Sequence, residues 1–266
     1  MKKNRNLVFG PLLFLTLLIG LNIQAQEESD AVYITVTTLH RNLSNPDRTE
    51  WAKVEQEYFD KVTSKNDLII GSDILTHYYT GNSTEILHVY AYRTWEDIEK
   101  SAAITEDLIN KAWPVENDKK AFFEKYKSFY DSMHSDEIYQ SVLQPMMPTN
   151  PSKEPMLVYI KKSQMATKKL GEALKEYNEK VTFKNPYIKA YYPQRHSWGS
   201  DSRDFVEAFF YDSLADLEKS NDTEEELIEA AWPIEANRKL FLEDLKKSFT
   251  GIHGDYLYLN MPSLSK

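Results

Sequence analysis

The chain has 266 residues and a formal net charge of -9, with 41% hydrophobic, 13% aromatic and 27% charged residues. This composition excludes disordered and fibrous classes, and the length suits about two domains of roughly 150 residues each. The absence of cysteine excludes a disulfide framework, thiolate metal sites and a lipid-modified N-terminal Cys, and the acidic balance disfavours nucleic acid and anionic membranes as partners.

Residues 1–25 carry Lys2, Lys3 and Arg5, then an apolar run from Leu7 to Leu21, then Ile23-Gln24-Ala25 before a polar stretch. This is the pattern of a secretory signal peptide, with an apolar middle too short to span a bilayer comfortably and a small residue at the cut. The expected product is an exported protein, periplasmic or extracellular, with no stable membrane anchor after cleavage and no lipid attachment. Loss of three positive charges makes it more acidic still.

After the leader, Val32–Leu39 is rich in Val, Ile, Thr and Tyr and reads as a strand. Thr49–Val62 places Trp51, Val54, Tyr58 and Val62 at spacings of three and four, an amphipathic helix. Ile69–Tyr79 reads as a second strand, and Gly81-Asn82-Ser83 turns it into a third, Glu85–Tyr92. A long helical region follows from Thr94. Trp113-Pro114 reads as a helix break, with Trp113 in the core, Pro114 opening a new helix and Glu116 near its positive end. Glu137–Val142 is the last strand. The segment 144–155, with four prolines in twelve residues, reads as a stiff linker.

The order β-α-β-β-α-β then recurs. At a constant offset of 119 residues, 77–139 aligns without a gap on 196–258 with 21 identities in 63 positions, where composition alone gives about 4. The densest match is Ala112-Trp113-Pro114-Val115-Glu116 against Ala231-Trp232-Pro233-Ile234-Glu235; Phe122/Phe241, His134/His253, Asp136/Asp255 and Tyr139/Tyr258 extend it. The acidic run Asp222–Glu226 reads as a solvated helix start. The expected organisation is therefore a signal peptide (1–25), a ferredoxin-like repeat (31–143), the linker, and a second repeat (156–262).

The third strand of each repeat alternates between two rows. Leu87, Val89 and Ala91, matched by Val206, Ala208 and Phe210, are expected under the helices. Ile86, His88, Tyr90 and Tyr92, matched by Phe205, Glu207, Phe209 and Tyr211, form a large aromatic face that cannot simply meet water. Two such faces packed on each other would give an aromatic cavity. In this element order and face pattern the chain resembles the dimeric α/β-barrel superfamily, with both halves fused in one α+β polypeptide. That resemblance implies a barrel formed within one chain. It also implies membership among cofactor-independent monooxygenases, haem-binding or haem-degrading proteins, chlorite dismutase-like enzymes, or ligand-binding proteins without turnover. The Ala-Trp-Pro-x-Glu box, followed by Phe122, Lys127, His134 and Asp136, is also similar to exported bacterial proteins of unknown function. Haem is the cofactor the resemblance admits; no catalytic motif of those enzymes is matched.

The candidate ligand-binding residues are Tyr33, His77, His88, Tyr90, Tyr92, His196, Glu207, Phe209 and Tyr211. His88 and its diverged counterpart Glu207 would supply acid and base within one cavity, or else a buried pair knitting two sheets. His134 with Asp136, and His253 with Asp255, keep one spacing in both copies. In each the carboxylate could hold an imidazole tautomer for base or ligand work, or the histidine could cap a helix end while the Asp organises a turn. His77 and His196 lie near strand ends, facing either the cavity or a turn. GxGxxG, P-loop, HExxH and GxSxG are absent from the sequence, and no metal site is expected. The readings carried forward are a binding or accessory protein for a small hydrophobic or planar molecule, a monooxygenase-like or haem-linked enzyme, and a protein-interaction module.

Overall fold

The computed structural model describes residues 31–167 and 171–266; the expected signal peptide, 1–25, lies outside them. The first half runs β1 (Tyr33–Arg41), α1 (Arg48–Lys61), β2 (Gly71–Tyr79), β3 (Glu85–Tyr92), α2 (Trp95–Ala112), α3 (Glu116–Ser128) and β4 (Tyr130–Ser141). The second half repeats this as β5 (Leu157–Met165), α4 (Glu172–Lys180), β6 (Ala190–Trp198), β7 (Asp204–Tyr211), α5 (Leu214–Ala231), α6 (Glu235–Lys246) and β8 (Phe249–Asn260).

Local chemistry sets the helix starts. The Asp47 carboxylate accepts from Glu50 N, and Thr94 and Asp97 form a reciprocal capping box. Ser213 does the same work for α5 by accepting from Asp216 N. The Trp-Pro break is present but differs in detail: Trp113 closes α2, Pro114 stands outside both helices, and Val115 is the N-cap residue of α3. The acidic run Asp222–Glu226 lies inside α5 rather than at a helix start.

Each half forms a four-stranded antiparallel sheet, and the two join into one closed barrel in the order β1-β3-β2-β8-β5-β7-β6-β4. Closure removes every unpaired sheet edge. The two joining seams, β2–β8 and β4–β6, are copies of each other: His77 pairs with Tyr258, and His196 pairs with Tyr139. Equivalent strands stand four places apart around the barrel and run in the same direction, so the pseudo-twofold axis lies along the barrel axis.

The helices cover the outside of the sheet. In the first half the layer between them packs Trp51, Val54, Ile74, Ile86, Trp113 and Phe122. The barrel interior is a separate apolar cluster of Leu75, Leu87, Val158, Ala208 and Tyr258. This reverses the face assignment expected from the sequence. Leu87, Val89, Ala91, Val206, Ala208 and Phe210 point into the barrel, not at the helices. The row containing His88, Tyr90 and Tyr92, and its copy containing Glu207, Phe209 and Tyr211, points at the helices. The reason is physical. An eight-stranded barrel has a narrow interior that takes the smaller aliphatic row. Phenols, meanwhile, find hydrogen-bond partners on the helix side, where Tyr92 meets Ser101 and Tyr90 meets Thr63.

Candidate functional site

A pocket of about 1810 Å³ opens into the barrel and extends beyond its rim to the 143–156 segment, α4 and the C-terminal residues, large for a small-molecule site. Its wall is built from the inward rows of all eight strands and is mostly aliphatic, with Val36, Val89, Val158 and Ile160 along its length. The aromatic side chains that the barrel strands give to the wall are Tyr139, Tyr192, Phe210, Tyr256 and Tyr258, with Phe183 at the rim; the sequence singled out none of them for the cavity.

Charge is concentrated where β4, β5 and β7 meet. Lys162 Nζ lies 3.0 Å from Glu137 Oε1 and 2.9 Å from Asp204 Oδ2, above the Tyr139 ring at 5.8 Å. Ser200 Oγ donates to Glu137 and lies 3.2 Å from Asp204 Oδ2. Burial alone would push the Lys162 ammonium down, but Tyr139, Asp204 and Glu137 outweigh it and hold the pKa above the usual lysine value. Burial likewise works to raise Glu137, and bonds from Ser200 and Lys162 overcome it, so the carboxylate sits below its usual range. Gly199 makes the cluster reachable. Its φ is +116°, and a Cβ there would stand 2.9 Å from the Asp136 carbonyl oxygen, so only glycine lets the β6–β7 turn lie against β4 and present Ser200.

The residues proposed from sequence fall elsewhere. His88 and Glu207 do not share a cavity: each lies under the helices of its own repeat. His88 Nε2 is 3.4 Å from Tyr130 Oη, which donates to Glu55 and accepts from Trp51 Nε1 at 2.8 Å. Tyr126 Oη donates to Glu55 at 3.5 Å. Burial lowers His88 to about 4 and raises Glu55 to about 7. Sequence reasoning overlooked Glu55; its only signal was a carboxylate among the apolar positions of α1. In the second repeat Tyr191 Oη donates to Glu207 at 2.7 Å, and burial raises the Glu207 pKa. Leu174, Leu245 and Phe249 stand there in place of Glu55, Tyr126 and Tyr130.

The other candidates divide in the same way. Tyr33 packs edge-on against Trp95 on the helix side, with ring centroids 5.5 Å apart. Phe209 lies between Tyr159 and Tyr191, and Tyr211 accepts from Ser220 at 3.5 Å. His77 and His196 face inward by register at the two seams, yet neither forms part of the cavity wall. His77 Nδ1 bonds Thr80 Oγ1 at 2.8 Å. His134 and His253 do not follow a helix directly, as expected; β4 and β8 begin earlier and carry them as strand residues. Each meets its Asp, at 3.4 and 3.2 Å, on the exposed outer surface. Asp136 also accepts from Thr37, and Asp255 from Tyr159. Haem needs an imidazole facing a slot as wide as a porphyrin. Of the imidazoles expected to serve, His88 is 6% exposed and packed against Tyr130, and His134 and His253 lie on the open outer surface beside their Asp partners with no slot before them, so these sites do not fit the group.

No family model matches the sequence, and no curated protein does. Solved structures do match. A provisionally named monooxygenase from Fusobacterium nucleatum superposes with a TM-score of 0.58 at 11% identity, over 87% of this chain and 93% of that one. A second provisionally named monooxygenase, from Lactobacillus acidophilus, gives 0.56 at 7% identity, over 87% and 94%. An anthrone oxidase-like protein gives 0.52 at 14% identity, over 88% and 92%. Likeness at such identity speaks to fold and not to chemistry. Two β-α-β-β-α-β halves, one closed antiparallel barrel and these superpositions together give the chain the dimeric α/β-barrel fold, with the two halves fused in a single polypeptide.

Proposed function

We propose that the protein is an exported binder of a small, largely apolar organic molecule, held inside the barrel. The observation that carries this reading is the pocket of about 1810 Å³, whose mostly aliphatic wall is interrupted by the half-buried Lys162–Glu137–Asp204 cluster and, on the other side, by Asp73 and Asn260. An apolar lumen of that size would be costly to leave wet, and a ligand that fills it gains roughly 25 cal/mol for each Å² of apolar surface removed from water. The acidic charge of the chain argues against polyanions as partners. Export rests on the leader sequence; N-terminal sequencing of protein recovered from outside the cytoplasm should begin near Gln26.

Titration with 1,6-diphenylhexatriene, a hydrocarbon that fluoresces in apolar surroundings, tests the binding reading. Saturable enhancement is expected in the wild type, and Ala208→Trp, which projects an indole into the lumen, should reduce it at least tenfold while the far-ultraviolet circular dichroism stays unchanged. Absence of saturable enhancement, or equal binding by the filled variant, would rule the reading out.

A second reading, monooxygenase-like turnover, follows the names of the superposed structures; its candidate acid–base group, Glu55–Tyr130–His88, lies beneath the helices and not in the lumen, so this reading places the substrate there instead. It requires ligand-dependent consumption of dissolved oxygen by the purified chain, lost in His88→Asn or Glu55→Gln.

A further inference from the structure

Because the barrel is a duplication, each wall position has an internal control at the other seam. Gln194 on β6 corresponds to Leu75 on β2, and Glu137 on β4 to Tyr256 on β8, both at the 119-residue offset. Lys162 corresponds to Thr38, since Lys162 pairs with Val206 and Thr38 pairs with that residue's counterpart, Leu87. At these three positions one side of the barrel thus carries leucine, tyrosine and threonine where the other carries an amide, a carboxylate and an ammonium; the polar pair of the β2–β8 seam, Asp73 and Asn260, is hydrogen-bonded to itself.

The β4–β6 seam also leaves hydrogen bonds unmade. Gln194 is 8% exposed and lines the cavity, and its Oε1 has no partner among the described residues. His196 Nε2, on the inward side of the same seam, is a second buried atom without one. A buried acceptor with no donor is costly, and at this position the other repeat avoids the cost by using leucine. The nearby ion cluster is already satisfied: one ammonium faces two carboxylates, which leaves a net negative charge against the lumen. Such a surface repels an anionic head group and suits a neutral donor.

We infer that the β4–β6 seam is the polar subsite of the cavity, where Gln194 receives a hydrogen bond from an uncharged hydroxyl head group on an apolar ligand. This rests on the binding reading above and adds to it the chemical class of the ligand: an aliphatic or aromatic alcohol, not a carboxylic acid.

The test is displacement of diphenylhexatriene by 1-decanol, by decyl methyl ether, which keeps the oxygen but lacks the donor, and by decanoate at pH 8. Wild-type protein should bind decanol at least threefold more tightly than the more hydrophobic ether, and decanoate more weakly than either. Gln194→Leu, which copies the other seam, should weaken decanol by about threefold to tenfold, the worth of one hydrogen bond, while diphenylhexatriene binding stays within twofold. Equal displacement by alcohol and ether in the wild type, or unchanged decanol binding in the variant, would overturn the subsite and leave the cavity reading standing. Failure of diphenylhexatriene itself to bind the wild type would remove the cavity reading instead. Should Gln194→Leu not fold, the wild-type comparison of alcohol and ether decides alone.

Discussion

Glu55 and His88 are bridged by the Tyr130 hydroxyl between sheet and helices in the first repeat, and their titrations oppose each other. Glu55 is 2% exposed, and burial, only partly offset by hydrogen bonds from Tyr130 and Tyr126, lifts its pKa from 4.5 to about 7. The folded state therefore prefers the protonated acid, and stability falls as pH rises from about 4.5 to about 7. His88 goes the other way, from 6.5 to about 4; the folded state prefers neutral imidazole, and stability falls as pH drops from about 6.5 to about 4. Each contribution amounts to about 3 kcal/mol at its limit. The phenols of Tyr58, Tyr90, Tyr126 and Tyr130 are all pushed up by burial and stay neutral throughout. Over the shared window the two slopes largely cancel in the wild type. Glu55→Gln should expose the histidine slope, so that urea midpoints fall on acidification from pH 6.5 to 4. His88→Asn should expose the carboxylate slope, with midpoints falling as pH rises from 4.5 to 7. Parallel, flat profiles in both variants would show that the two groups do not titrate as their surroundings require.

At the scale of elements, the repeated Trp-Pro break stands out as a packing device. Trp113 stacks on Phe122 at 4.1 Å beneath the Lys61 ammonium, and Trp232 on Phe241 at 3.9 Å beneath Lys180. Each tryptophan is the residue that ends one helix, and it fills the gap opened as the chain turns into the next. Trp113→Ala should cost about 3–5 kcal/mol, as large core truncations do, and Trp232→Ala a similar amount; calorimetry checks both. These boxes were legible because apolar periodicity and proline punctuation are local signals. Strand β3 was found to the residue for the same reason. The first half of β4 was not, because Asp131–Asp136 is exposed and polar and shows no alternation. Also unnoticed was the pair Asn66 and Asn185, each in a Val-Thr-x-Lys-Asn run. Each donates its amide to a serine carbonyl and hydroxyl, on Ser101 and Ser220 respectively, tying the turn after one helix to the next helix. A buried asparagine looks like any loop asparagine until its partner, 35 residues on, is known to be adjacent.

For the whole molecule, duplication was readable from 21 matched positions, and the barrel followed from the element order. The inside and outside of the sheet were not readable. Both rows of β3 are shielded from bulk water, one by helices and one by facing the barrel interior, so hydrophobicity cannot separate them, and barrel width and hydroxyl partners decide. The aromatic face was therefore placed in the cavity and His88 with Glu207 across it, whereas the lumen is lined by the aliphatic row. Its polar subsite, with Lys162, Glu137 and Gln194, draws on three strands of different repeats whose proximity only closure creates. The most direct test of where a ligand sits is a crystal structure of the chain grown with 10-bromo-1-decanol. A bromine anomalous peak is expected inside the barrel, between Val89 on β3 and Ala208 on the opposite strand β7, with the hydroxyl on Gln194. A peak in the layer beside Glu55 and His88, or no ordered bromine in a lumen filled by side chains, would contradict that placement.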